Sequence, residues 1–125
     1  MLVDTDVIIW ALRGNMRATT VIDHADTLAL SVVSYMELLQ GARDKKDLRL
    51  TKAFLTDLGF AIVPLSENIG HRAAIYLEEY ALKSNLGVPD ALIAASAAEN
   101  EMMLCTGNAR HYRAIEELDL KVFRP

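Results

Sequence analysis

Three acidic residues stand in apolar surroundings that set them apart. Asp4 lies in Leu2-Val3-Asp4-Thr5-Asp6-Val7-Ile8-Ile9, and Glu37 in Ser34-Tyr35-Met36-Glu37-Leu38-Leu39-Gln40-Gly41. Asp90 lies in Val88-Pro89-Asp90-Ala91-Leu92-Ile93-Ala94-Ala95. Thr106 and Asn108 form a fourth polar point, in Leu104-Cys105-Thr106-Gly107-Asn108-Ala109-Arg110-His111-Tyr112. If folding gathers the acids, their repulsion dictates the chemistry. Two carboxylates about 5 Å apart repel by roughly 3 kcal/mol at an effective dielectric near 20, and three mutual pairs by on the order of 10 kcal/mol. Such a site either keeps protons through raised pKa values or binds a cation. Oxygen donors without thiolates or clustered imidazoles favour Mg2+ or Mn2+ over zinc. A hard cation on a few carboxylates, its shell completed by water, is the usual arrangement for phosphate chemistry.

Each residue also has an ordinary structural explanation. Ser34 and Glu37 have capping-box spacing. Thr5 or Asp6 suits an N-cap, Asp90 suits the positive end of a helix dipole, and Asn108 suits the cap of a short turn. Helix caps need not converge on one edge of a fold, so the set carries more information than any member.

The elements that must position these residues alternate in type. Strands are expected at Leu2–Asp4, Leu28–Val32, Ala61–Val63, Met103–Thr106 and Lys121–Phe123. Helices are expected near Val7–Leu12, Arg17–Ala25, Ser34–Ala42, Lys45–Leu58, Asn68–Ser84 and Pro89–Glu101, the last with proline at its first position. In the helix from Lys45, residues Leu48, Thr51, Leu55 and Leu58 share a face. In the helix from Asn68, residues Ile69, Ala73, Tyr76 and Tyr80 face one way, and Arg72, Glu78 and Glu79 the other. This alternation predicts a three-layer α/β/α domain around a central parallel sheet of four to five strands. Right-handed crossovers put the C-terminal ends of the strands on one edge, where open α/β sheets bind ligands. Every polar residue named above follows a strand or opens a helix, so this topology can unite residues more than eighty positions apart.

The chain has 125 residues, room for one domain spanning 1–125, and 52% of them are hydrophobic, ample for a packed core. No apolar run reaches the length of a membrane span, and an acid at position 4 argues against a signal peptide. The single cysteine, Cys105, excludes an intrachain disulfide and suits a reducing cytoplasm. The net charge of −4 runs against nucleic-acid binding. Binding is local, however, and Arg43, Lys45, Lys46, Arg49 and Lys52 fall within ten positions. That run is either a solvated helix face or a rim that tracks phosphates.

At the four stretches quoted, the sequence resembles the PIN-domain family, and Pro-Asp-Ala-Leu-Ile-Ala-Ala around Asp90 is especially similar to its VapC-type toxin branch. The stretches match in order and approximate spacing across nearly the whole chain. The resemblance implies a magnesium-dependent endoribonuclease acting as the toxin of a toxin–antitoxin pair. It implies that Asp4, Glu37 and Asp90 hold metal, with Thr106 and Asn108 supporting the fourth corner. It also implies a homodimer, and a cognate antitoxin whose tail fills the catalytic groove and presents an arginine to the acids. One position departs from the pattern: His111 stands where many members carry an aspartate. Either Asp6 substitutes for that ligand, or a single metal is held tightly.

Two other architectures share parts of this pattern. Asp4-Thr5-Asp6-Val7 partly fits the first motif of a haloacid-dehalogenase-like phosphatase, with Thr106 as its second, but no downstream acidic pair follows. A signalling receiver domain requires an acid at the end of the third strand, where this chain reads Ala61-Ile62-Val63-Pro64. A catalytically silent PIN-like binding module is the third alternative, because of His111.

Overall fold

The computed structural model describes residues 1–125. Five strands, β1 (Leu2–Val3), β2 (Ala29–Ser31), β3 (Ala61–Val63), β4 (Leu104–Thr106) and β5 (Leu120–Val122), form one sheet. Seven helices connect them: α1 (Thr5–Leu12), α2 (Met16–Asp23), α3 (Val32–Gln40), α4 (Lys45–Asp57), α5 (Glu67–Ser84), α6 (Val88–Glu99) and α7 (Ala109–Tyr112). The sheet order is β3-β2-β1-β4-β5 and every pairing is parallel. β1 is central, with Leu2 opposite both Ala29 and Leu104 and Val3 opposite Cys105. The direction of winding reverses at β1, so its C-terminal end borders the crevice where such sheets place ligands.

The strands are short and almost wholly apolar, as expected of strands covered on both faces. Alternation along them separates two cores. Leu2, Ala29, Val63 and Leu104 pack with Ile69, Tyr76, Ile93 and Tyr112 beneath α5, α6 and α7. Val3, Leu30 and Cys105 pack with Val7, Ile8, Ile22, Leu38 and Leu55 beneath α1 to α4. In α6, Ala91, Ala94, Ala95 and Ala97 are all buried, and these small side chains let α5 and the sheet approach it closely. The expected α/β/α architecture is therefore observed, with five strands. The order also differs from the 2-1-3-4-5 order of flavodoxin-like folds.

Several local expectations are corrected. α3 begins two residues earlier than expected, because the Ser31 hydroxyl accepts from the Val33 amide (3.1 Å) and turns the chain as β2 ends. Ser34 therefore lies inside the helix, fully buried with its hydroxyl unpartnered, and there is no Ser34–Glu37 capping box. At α1 the cap is Asp4 itself, neither Thr5 nor Asp6. In α6, Val88 takes the first helical position and Pro89 the second. Leu58 lies beyond the end of α4 and is exposed. Arg72 does not face away from Tyr76: half-buried, it bonds Glu99 (Nε to Oε2, 2.6 Å) and shares Glu117 (2.8 Å) with the Tyr76 hydroxyl. α7 was not anticipated. No helix is long and apolar enough to cross a membrane.

Candidate active site

Asp4 leaves β1 and caps α1, its Oδ1 accepting from the Thr5 amide at 2.8 Å. Its other oxygen accepts from the Thr106 hydroxyl (2.7 Å), at the end of the adjacent β4, and from the Tyr112 hydroxyl on α7 (3.2 Å). Asp4 is 4% exposed. Burial is the main force raising its pKa to about 6, and the Thr106 bond opposes it; Asp6 and Asp90 add repulsion. Asp6 is raised as well, first by burial and in part by Asp90. Its carboxylate accepts from the Val7 amide (2.8 Å) and, across the edge, from the Gly107 amide (3.0 Å).

Asp90 sits in the first turn of α6 and accepts from Tyr112 at 3.2 Å. One phenol thus joins the ends of β1 and α6. Burial, with Asp4 and Asp90 alongside, pushes the Tyr112 phenol up, so it keeps its single proton, which the two acids share. His111 Nδ1 lies 3.3 Å from Asp90 Oδ2, so the histidine borders this acid while staying partly exposed. Glu37 is exposed on α3 and accepts from the Thr5 hydroxyl at 2.8 Å. The Asn108 amide donates to Thr106 Oγ1 (3.0 Å), which fixes the turn after β4, while its side chain makes no capping bond.

The edge therefore unites Asp4, Asp6 and Asp90 in one electrostatic field, with Thr106 bonded to the first. Glu37 joins through Thr5. Asp6 is more central than its sequence context suggested. Two participants were missed. Tyr112 carried no signal, since α7 spans only four residues and shows no periodicity. Gly107 did carry one: a glycine between Thr106 and Asn108 suggests close approach, and a Cβ there would collide with the Asp6 carboxylate.

Donors that are all carboxylate oxygens suit a hard divalent cation. As the side chains stand, no three acids or histidines surround a common point. Cys105 offers no alternative ligand, being fully buried with its thiol raised to about 11 mainly by that burial. Beside Glu37 a groove of about 520 Å³ runs between α1 and α3, bordered by Arg13 and Arg43. Arg43, Lys45, Lys46, Arg49 and Lys52 are all exposed.

A sheet wound about β1, with acids massed at its C-terminal end, defines the class: a family model of the PIN domain matches residues 1–117, and the chain belongs to the PIN-domain family. Within that family it is a relative of the VapC ribonucleases. It is 34% identical to Ribonuclease VapC10 of Mycobacterium tuberculosis over 122 residues, 94% of this chain and 90% of the relative. Among solved structures it is similar to a toxin-antitoxin complex from Klebsiella pneumoniae, with TM-score 0.80 and 27% identity over 94% of this chain and 93% of that one. By fold it also matches VapBC2 from Rickettsia felis bound to a DNA fragment from their promoter, with TM-score 0.79 and 20% identity over 98% of each chain. Family membership sets aside the phosphatase and receiver alternatives.

Proposed function

We propose that this chain is a magnesium-dependent endoribonuclease, the toxin of a toxin–antitoxin pair, with residues 1–125 acting as one unit. The observation that carries the reading is Asp4, buried yet sharing a field with Asp6 and Asp90, in a chain 34% identical to a VapC ribonuclease. PIN-domain ribonucleases are in general divalent-metal dependent. Mg2+, or Mn2+, would be held here by Asp4 and Asp90, with Asp6 and Glu37 as further donors. Such an ion, when bound, supplies a water of lowered pKa and offsets charge on the reacting phosphate.

The chain's own residues do the positioning. Thr106 holds one Asp4 oxygen and lowers its pKa, keeping more of it ionised near neutral pH. Thr5 orients Glu37, and Tyr112 ties Asp4 to Asp90. Asn108 shapes the turn that aims Thr106. Attack by water on phosphorus in line with the 3′-oxygen forms the new P–O bond as the P–O3′ bond breaks, and the 3′-oxygen leaves as a hydroxyl, giving 5′-phosphate and 3′-hydroxyl ends. Mass spectrometry of cleaved RNA is the test, and 2′,3′-cyclic phosphate ends would refute the route. Asp4→Asn, Glu37→Gln and Asp90→Asn are each expected to lower cleavage by at least a hundredfold. Metal binding by a chain unable to cut RNA would instead favour the silent binding module.

The similarity to a toxin-antitoxin complex supports a cognate antitoxin as partner. Co-expression with the adjacent reading frame should relieve growth arrest, and light scattering of the free chain should give the mass of a homodimer. A cytoplasmic location fits an RNA substrate, and fractionation would test it.

A further inference from the structure

The acid cluster must accept a polyanion that it would otherwise repel, so cationic ground is needed beside it. One flank is the Arg13 and Arg43 groove, but Glu37 and Asp47 also line it, and Arg43 pairs with Asp47 at 3.6 Å. The opposite flank differs. A second open groove, of about 670 Å³, lies between the end of α5 and α7. Lys83, Arg110 and His111 line it together with Leu82, Ser84 and Asn85, and no acid does. Lys83 and Arg110 are exposed, and neither forms an ion pair. Leu82 is wholly exposed. His111 belongs to this groove and its Nδ1 lies 3.3 Å from Asp90 Oδ2, so one side chain is all that separates the groove from the nearest acid.

We infer that this groove is the RNA subsite on the far side of the scissile phosphate from Arg13 and Arg43. The inference deepens the ribonuclease reading and rests on it. Lys83 and Arg110 contact flanking backbone phosphates. Leu82 offers a surface for a base, and Ser84 and Asn85 offer it hydrogen bonds. An open groove with an apolar residue among polar ones suits a single strand, whose unstacked bases are free to settle on it. Lys83 and Arg110 therefore determine how tightly substrate is held rather than how fast it is cut.

The test uses the full chain with a fluorescent single-stranded RNA, binding being read by anisotropy with Ca2+ in place of Mg2+ and cleavage with Mg2+. In Lys83→Ala/Arg110→Ala we expect affinity to fall about tenfold, KM to rise with kcat little changed, and melting to be unaltered. The slope of log affinity against log salt should lessen by about 1.4, at about 0.7 for each phosphate of a single strand that is no longer neutralised. Lys83→Glu/Arg110→Glu should deepen the affinity loss. Wild-type affinity and salt slope in both variants, with the wild-type chain cutting RNA, would overturn the subsite and leave the nuclease reading standing. Loss of antitoxin binding with RNA affinity intact would overturn it too, by assigning the groove to a protein partner. If the wild-type chain cuts no RNA under any divalent ion, the parent reading falls and the subsite with it.

Discussion

Asp4 is required to carry charge where burial opposes it, and its neighbours determine how far it succeeds. Thr106 supplies the largest opposing effect. Thr106→Val preserves shape but removes the donor, so the Asp4 pKa should rise further above about 6. The acid limb of the kcat/KM profile against pH should then move up by about one unit, since a hydrogen bond to a charged group contributes about 1.5–3 kcal/mol. Gly107 serves Asp6 in a different way, by offering its amide and no side chain. Gly107→Ala should displace the Asp6 carboxylate and weaken Mn2+ binding about tenfold by calorimetry, with the fold retained by circular dichroism. Ser34 gives the opposite sign. Its buried hydroxyl has no partner, so Ser34→Ala should raise stability by about 1 kcal/mol in urea titration.

At the scale of elements, most of the architecture was readable because period and composition agree with it. β3 and the end of α5 fall where expected, and the other strands are displaced by one residue or trimmed. Alternating strands and helices lead directly to a parallel sheet, and the positions of Asp4 and Thr106 at strand ends follow from it. What escaped was determined by tertiary contact. The Ser34–Glu37 spacing has the form of a cap, yet Ser31 lies closer to the strand end and takes the role. Glu37 is consequently free to meet Thr5. α7 is too short to produce a periodic signal, and it exists as a bracket that swings Tyr112 under the acids. Tyr112→Phe should cost about 1–2 kcal/mol at neutral pH by removing the donor common to Asp4 and Asp90. A melt unchanged from wild type would show that the bracket is dispensable.

The whole molecule registers the strain of this site in its response to pH. Folding raises the Asp4 pKa from 3.8 to about 6, so the folded chain binds that proton more tightly than the unfolded one. Its contribution to stability is full below pH 4 and is lost as pH rises through about 6, a change of about 3 kcal/mol. Metal-free protein should therefore become less stable from pH 4 to 7 by this amount relative to Asp4→Asn, in urea titrations of both. Mg2+ should restore stability at pH 7.5 far more than at pH 5. The site has one further property at this scale. Asp4 is bonded to partners 102 and 108 residues away, and β1 occupies the middle of the sheet only when β4 lies beside it. A nascent chain interrupted before Thr106 already contains Asp4, Glu37 and Asp90, yet it lacks the strand and the phenol that bring them together. The acid cluster can thus be assembled only after translation has passed Tyr112, however early its acids are made.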